Sequence, residues 1–138
     1  MSRALRECAP GDAYAQEFPA ITTTQLVMYA GASDDYNRIH YDQAHAQSAG
    51  LGGVIAHGML TMALMTRVLT DWAGPWARMR RVSARFVAPV RPGDVVRVEA
   101  VVGARGEGTP AHVTCTATAK VGERTVATCE ATIAVGDR

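Results

Sequence analysis

A carboxylate and an imidazole, Asp35 and His40, stand five positions apart in Ser33-Asp34-Asp35-Tyr36-Asn37-Arg38-Ile39-His40, a stretch too polar to belong to a core. Side chains meet along a helix at spacings of three and four, so these two converge only on an irregular loop. Loops held by a rigid scaffold are where catalytic groups concentrate. A carboxylate beside an imidazole holds one water and exchanges protons with it near neutral pH. Gly52-Gly53 and Ala56-His57-Gly58 follow, leading into a long apolar segment. A glycine opening a helix presents its main-chain N–H at the positive end of the dipole and lets a ligand come close. Gly58 thus fits a growing negative charge and a plain helix-start glycine about equally.

The other polar residues have plainer readings. Asn37 serves equally well as a turn residue bonding its own backbone and as support for the pair. His57, just before a helix start, reads as structural, and His45 and His112 as surface residues. Thr66 and the methionines Met59, Met62 and Met65 read as core. Arg78, Arg80, Arg81 and Arg85 fit the solvated face of a strand better than a cradle for the phosphates of coenzyme A or a phosphopantetheine arm. No glycine-rich phosphate loop is present, which argues against nucleotide chemistry.

Composition narrows the class. The chain has 138 residues, 48% hydrophobic and 20% charged, which suits one globular domain over residues 1–138. A net charge of +1 gives no electrostatic reason to expect nucleic acid or an acidic membrane. Cys8, Cys115 and Cys129 are odd in number and lack CxxC or CxxH spacing, so neither a zinc site nor a disulfide framework is expected. The amino-terminal stretch has no apolar core of a secretory signal. Residues 54–66 are too short and too interrupted to span a bilayer. A cytoplasmic, reduced protein is expected.

The pair also needs elements to position it. Residues 17–21 are expected as a short edge strand, with Pro19 keeping it from the sheet centre. Thr22, Thr23 and Thr24 offer caps for a helix over residues 25–32, with an apolar face of Leu26, Val27, Tyr29 and Ala30. Asp42 caps a short helix that Gly50 stops. The main helix runs from Met59 to Trp72, apolar on nearly all sides and therefore buried. Arg67 and Asp71 pair near its exposed end, and Gly74-Pro75 ends it. The period then changes to two. Val82 to Ala88, Val96 to Val102, Ala111 to Ala119 and Ala127 to Val135 alternate apolar with polar residues, predicting four antiparallel strands in a meander. Arg91-Pro92-Gly93-Asp94 is a tight turn, residues 103–110 a glycine-rich connection, and Gly122-Glu123 a turn. The fold class is α+β, an antiparallel sheet wrapped around the long buried helix. Small side chains on the last two strands suit its close approach.

The sequence resembles the MaoC-like, R-specific enoyl-thioester hydratases and dehydratases, which have the hot-dog fold. The resemblance runs from about Thr22 to the last strand. It is most specific at residues 29–42, where an aspartate is followed by asparagine two positions later and histidine five later. Ala56-His57-Gly58-Met59-Leu60 is similar to the family's loop and helix start, and Val90-Arg91-Pro92-Gly93-Asp94 to its strand–turn–strand. The resemblance implies Asp35 and His40 as the catalytic pair, Asn37 as the supporting asparagine at the substrate site, and Gly58 as the glycine whose N–H binds the thioester carbonyl. One departure stands out: the family usually has proline where this chain has Arg38.

The activity so implied is a lyase that adds water reversibly across a trans-2-enoyl thioester to give an (R)-3-hydroxyacyl thioester. Coenzyme A or acyl-carrier protein would carry the substrate, and no cofactor or metal is expected. The alternatives are a hot-dog thioesterase and a non-catalytic subunit of a heterodimer. The open sheet edge predicts a pairing, as a homodimer or with a second hot-dog chain. Which of Asp35 and His40 acts as base is left open by the sequence.

Overall fold

A computed structural model describes residues 4–108 and 110–136. Met1, Ser2 and Arg3 of the amino-terminal stretch and Thr109 of the glycine-rich connection lie outside the described residues. The strands are β1 (Ala13–Glu17), β2 (Arg78–Phe86), β3 (Val96–Gly106), β4 (Ala111–Val121) and β5 (Arg124–Val135). They form one antiparallel sheet in the order β1-β3-β4-β5-β2. Three helices, α1 (Thr23–Ser33), α2 (Gln43–Ser48) and α3 (Gly58–Ala73), lie between β1 and β2 in the chain.

The alternation puts Val96, Val98, Ala100 and Val102 of β3 inside, with Val113, Cys115, Ala117 and Ala119 of β4 and Cys129, Ala131 and Ile133 of β5. They pack against Leu60, Leu64, Met65, Val68, Leu69 and Trp72 of α3. Each Leu or Val so buried is worth about 1.5–3 kcal/mol over leaving it in water. The alanines of β4 and β5 let the helix come close. Cys115 and Cys129 are ordinary members of this core: burial pushes the Cys115 thiol up to about 11 and raises Cys129 too. Neither is a ready nucleophile. Among the described residues no helix is long and apolar enough to cross a membrane.

Four sequence expectations are corrected. The strands from β2 to β5 are not a simple meander, because β2 pairs with β5 at the far edge and not with β3. The connector 87–95 is too long and too proline-interrupted for a hairpin. It carries the chain past the β4–β5 end, where Val87 and Ala88 N–H both reach Val126 O. The tight turn does form within it, with Asp94 N–H on Arg91 O at 3.0 Å. The first edge strand is Ala13–Glu17, earlier than expected. Phe18 N–H still bonds Val96 O, but Pro19 has no N–H to continue the ladder.

The main helix is not enclosed on all sides. Met59 is 55% exposed, and Ala63, Arg67, Thr70 and Asp71 share its open face, because a single sheet covers one side of α3. Arg67 and Asp71 do pair there, at 3.5 Å. On α1 the buried stripe is Leu26 and Ala30, whereas Val27 is 58% exposed. The caps fall where expected. Thr22 Oγ1 accepts from Gln25 N–H, Asp42 Oδ1 accepts from His45 N–H, and Gly74 ends α3 at φ 83.

Candidate active site

Local hydrogen bonds shape the loop after α1. Asp34 caps that helix at φ 57, the one positive φ outside glycine among the described residues, a conformation short polar side chains tolerate. Asp35 Oδ1 accepts from Asn37 N–H, and Asn37 Oδ1 accepts from Ile39 N–H, both at 3.2 Å. The second bond starts a 3-10 turn, Arg38–His40, which swings the His40 ring inward. The Asn37 carboxamide thus works through the backbone of the loop.

His40 is 7% exposed and its Nδ1 lies 2.8 Å from Ile55 O. A carbonyl only accepts, so Nδ1 carries the proton and Nε2 of the neutral ring is bare. That Nε2 faces Asp35 Oδ2 at 3.8 Å, and the carboxylate side chain is 50% exposed. The separation is too wide for a direct hydrogen bond and suits a water held by both. Five positions of sequence separation have become one facing side-chain pair.

His57 joins them, which the sequence reading missed. It is 2% exposed and its ring stacks on His40 with centroids 3.7 Å apart and planes 21° apart. Its Nε2 sits 3.2 Å from Asp35 O, and Tyr29 of α1 packs on it at 4.9 Å. Burial holds this imidazole below the usual histidine range. The only local hint was a histidine beside the candidate glycine. Asp35, His40 and His57 offer ligand atoms within 4.8 Å of one another. Near-parallel rings, each with one nitrogen on a main-chain carbonyl, suit a bridging water better than the convergent lone pairs of a metal site.

Gly58 begins α3, so its N–H has no partner within the helix. A Cβ at Gly58 would lie 3.3 Å from the Phe86 ring of β2, a tight contact that the ring would have to shift to admit. Beside it opens an apolar groove of about 410 Å³ lined by Ile55, Gly58, Thr61, Phe86, Val87 and Val90. The loop that frames the groove is pinned from behind. Arg91 donates to Leu51 O at 2.6 Å and Gly53 O at 3.4 Å, and Ala56 N–H bonds Val90 O at 2.7 Å.

Arg38 has an identifiable place. Its Nε and a terminal nitrogen both donate to Asp42 Oδ2, at 3.1 and 2.6 Å. The His45 N–H and this guanidinium hold the Asp42 carboxyl below its usual range. The exposed pair ties the 3-10 turn to the cap of α2. The other basic cluster does not converge on the groove: Val82 and Ala84 pack inward, so Arg81 and Arg85 point to the sheet face away from α3. His112 is exposed and Thr66 Oγ1 bonds back to Met62 O and Ala63 O.

Residues 7–125 match the model of the MaoC like domain. The chain belongs to the MaoC-like family. It is 36% identical over 113 residues to the (R)-specific enoyl-CoA hydratase of Rhodospirillum rubrum, covering 77% of this chain and 78% of that one. It is 35% identical over 117 residues to the 3-hydroxybutyryl-CoA dehydratase of Methylorubrum extorquens, covering 83% and 73%. The (R)-hydratase from A. caviae superposes with a TM-score of 0.86 at 26% identity, covering 94% of this chain and 98% of that one. The MaoC-like chain also matches fungal fatty acid synthase beta subunits, such as that of Monascus ruber, 45% identical over 73 residues. It spans 51% of itself and 4% of that much longer protein. Its architecture, one antiparallel sheet packed on a central helix, is the hot-dog fold.

Proposed function

We propose that this chain adds water reversibly across a trans-2-enoyl thioester to give an (R)-3-hydroxyacyl thioester. The observation that carries the reading is the 3.8 Å separation of Asp35 Oδ2 and His40 Nε2, with the His40 tautomer fixed by Ile55 O. A water between them gives up a proton as its oxygen bonds to Cβ, and a proton is returned to Cα, so the C=C π bond is replaced by C–O and C–H bonds. Negative charge grows on the thioester oxygen, and the Gly58 N–H at the start of α3 is placed to receive it. The apolar groove beside Gly58 takes the acyl chain. The relatives named a hydratase and a dehydratase fit the two directions of this one reaction. Coenzyme A or an acyl-carrier protein is the proposed carrier.

The site is proposed to work in a dimer, with a second copy or another hot-dog chain. Half-exposed Asp35 and the exposed Phe86 and Val87 at the end of the edge strand β2 need a cover to exclude bulk water.

The test is an ultraviolet assay with crotonyl-CoA, with a thiol trap and chiral analysis alongside. Loss of enoyl absorbance without free thiol, yielding the (R)-3-hydroxy product, is expected. Release of free coenzyme A would replace the reading with a thioesterase. No reaction with enoyl thioesters of several chain lengths, as a dimer and after addition of any co-purifying hot-dog chain, would make the chain a non-catalytic subunit.

A further inference from the structure

His57 is more than a filler between α3 and the loop. It touches both members of the pair: its Nε2 meets the main-chain oxygen of Asp35 at 3.2 Å, and its ring lies flat on His40 at 3.7 Å. The Asp35 oxygen only accepts, so His57 carries its proton on Nε2. The remaining nitrogen, Nδ1, is buried with no hydrogen-bond partner among the described residues. A bare buried acceptor costs free energy that a phenylalanine of similar shape would not incur. Shape alone would therefore favour phenylalanine at this place, and what the imidazole adds is the Nε2–H donor.

The loop needs such a donor. Asp35 follows a left-handed residue, and its side chain bonds only the N–H two residues on among the described contacts. The His57 donor joins the Asp35 main chain to the start of α3, whose buried face is locked into the sheet. The same ring limits the tilt of His40, which Ile55 O holds from its edge.

We propose that His57 is a positioning residue that fixes the Asp35 main chain through Nε2–H and the His40 ring through its face, and so sets the spacing of the proton-handling pair. This rests on the hydration reading of that pair. The titratable groups against the His57 ring are Tyr29 from α1, and Asp35 and His40 from the loop and 3-10 turn. Protonating His57 would set a cation against a His40 ring that must itself gain and lose a proton, and burial opposes that protonation.

The test compares the full-length protein with His57→Phe, which keeps the stacked ring and drops the donor, and His57→Gln, which keeps a donor and drops the stack. Crotonyl-CoA kinetics report activity, and nitrogen-15 spectra of the four histidines report tautomers and titration. The wild type is expected to show His57 as the Nε2–H tautomer, titrating below pH 6.5, the ordinary histidine value. His57→Phe is expected to lose roughly tenfold to a hundredfold in kcat with KM little changed, as for a misplaced catalytic group, and to shift the pH profile of kcat/KM. His57→Gln should recover part of the loss. Wild-type kcat and pH profile in folded His57→Phe would overturn the proposal. So would equal losses in both variants that track lost thermal stability. If wild type fails to hydrate any enoyl thioester, the functional reading falls, and the spectra still decide this one. A wild-type His57 protonated on Nδ1, or His40 ring nitrogen-15 shifts unchanged in folded His57→Phe, would overturn it. If His57→Phe does not fold, the wild-type tautomer and His57→Gln carry the decision.

Discussion

The sheet with α3 and the segment 33–58 are held together in opposite ways. In the sheet, the inward positions of β3, β4 and β5 are small or branched apolar residues, and what matters is their alternation and volume. In the segment 33–58 almost every residue has an individual bond: Asp35 to Asn37 N–H, Asn37 to Ile39 N–H, His40 to Ile55 O, His57 to Asp35 O. The sheet tolerates exchange and carries stability. The loop carries geometry, and a single lost bond there is expected to shift Asp35 or His40 without unfolding the protein. Substitutions in the two regions should therefore separate rate from stability.

The largest separation is expected at the pair itself. Asp35→Asn and His40→Ala should each lower turnover of crotonyl-CoA by about 10² or more, the usual worth of a general acid–base group, with thermal unfolding little changed. Near-normal turnover in either would break the comparison. In the core the effect should invert: Met65→Ala should cost about 2–5 kcal/mol of stability by leaving a cavity at a fully buried position. Met59→Ala, at a position 55% exposed on the same helix, should stay within about 0.5 kcal/mol. Urea unfolding of the two variants measures the difference, and similar losses would mean that the open face of α3 is covered in solution.

Gly58→Ala probes the border between the regions. The new Cβ would press on the Phe86 ring at 3.3 Å, and the half-exposed ring can yield. Stability should change by under about 1 kcal/mol, while kcat/KM falls roughly tenfold through a misplaced thioester. Phe86→Ala in the same chain should recover part of that loss if the clash is the cause, which a double-mutant cycle reads directly. The smallest effect is expected for Arg38→Pro. Arg38 opens the 3-10 turn, where a proline's missing N–H is tolerated, and its Asp42 ion pair is exposed. Turnover should stay within about threefold of wild type. Abolished turnover in a folded protein would give the Arg38 guanidinium a direct part in the site.

Much of this organisation was legible in the chain. Caps are local, so Thr22, Asp42 and Gly74 marked helix ends correctly. A period of two is local as well, so the inward faces of β3, β4 and β5 were read residue by residue. Asp35, His40 and Gly58 stood out because their types and spacing made sense on a loop running into a helix, and the family motif gave them roles. The amino-acid sequence by itself thus determined which residues face inward and where helices begin and end, and it singled out Asp35 and His40 as candidates for proton chemistry.

Tertiary structure decided what depends on partners distant in the chain. It placed β2 beside β5, because the connector 87–95 cannot close a hairpin and the free edge of β5 needs a ladder. It left the face of α3 that carries Met59, Ala63, Arg67, Thr70 and Asp71 open, since the helix meets only one sheet within one chain. It also made His57 part of the site. No local signal separates a histidine that merely precedes a helix from one stacked on another ring, because burial and stacking come from contacts between segments 17 or more residues apart.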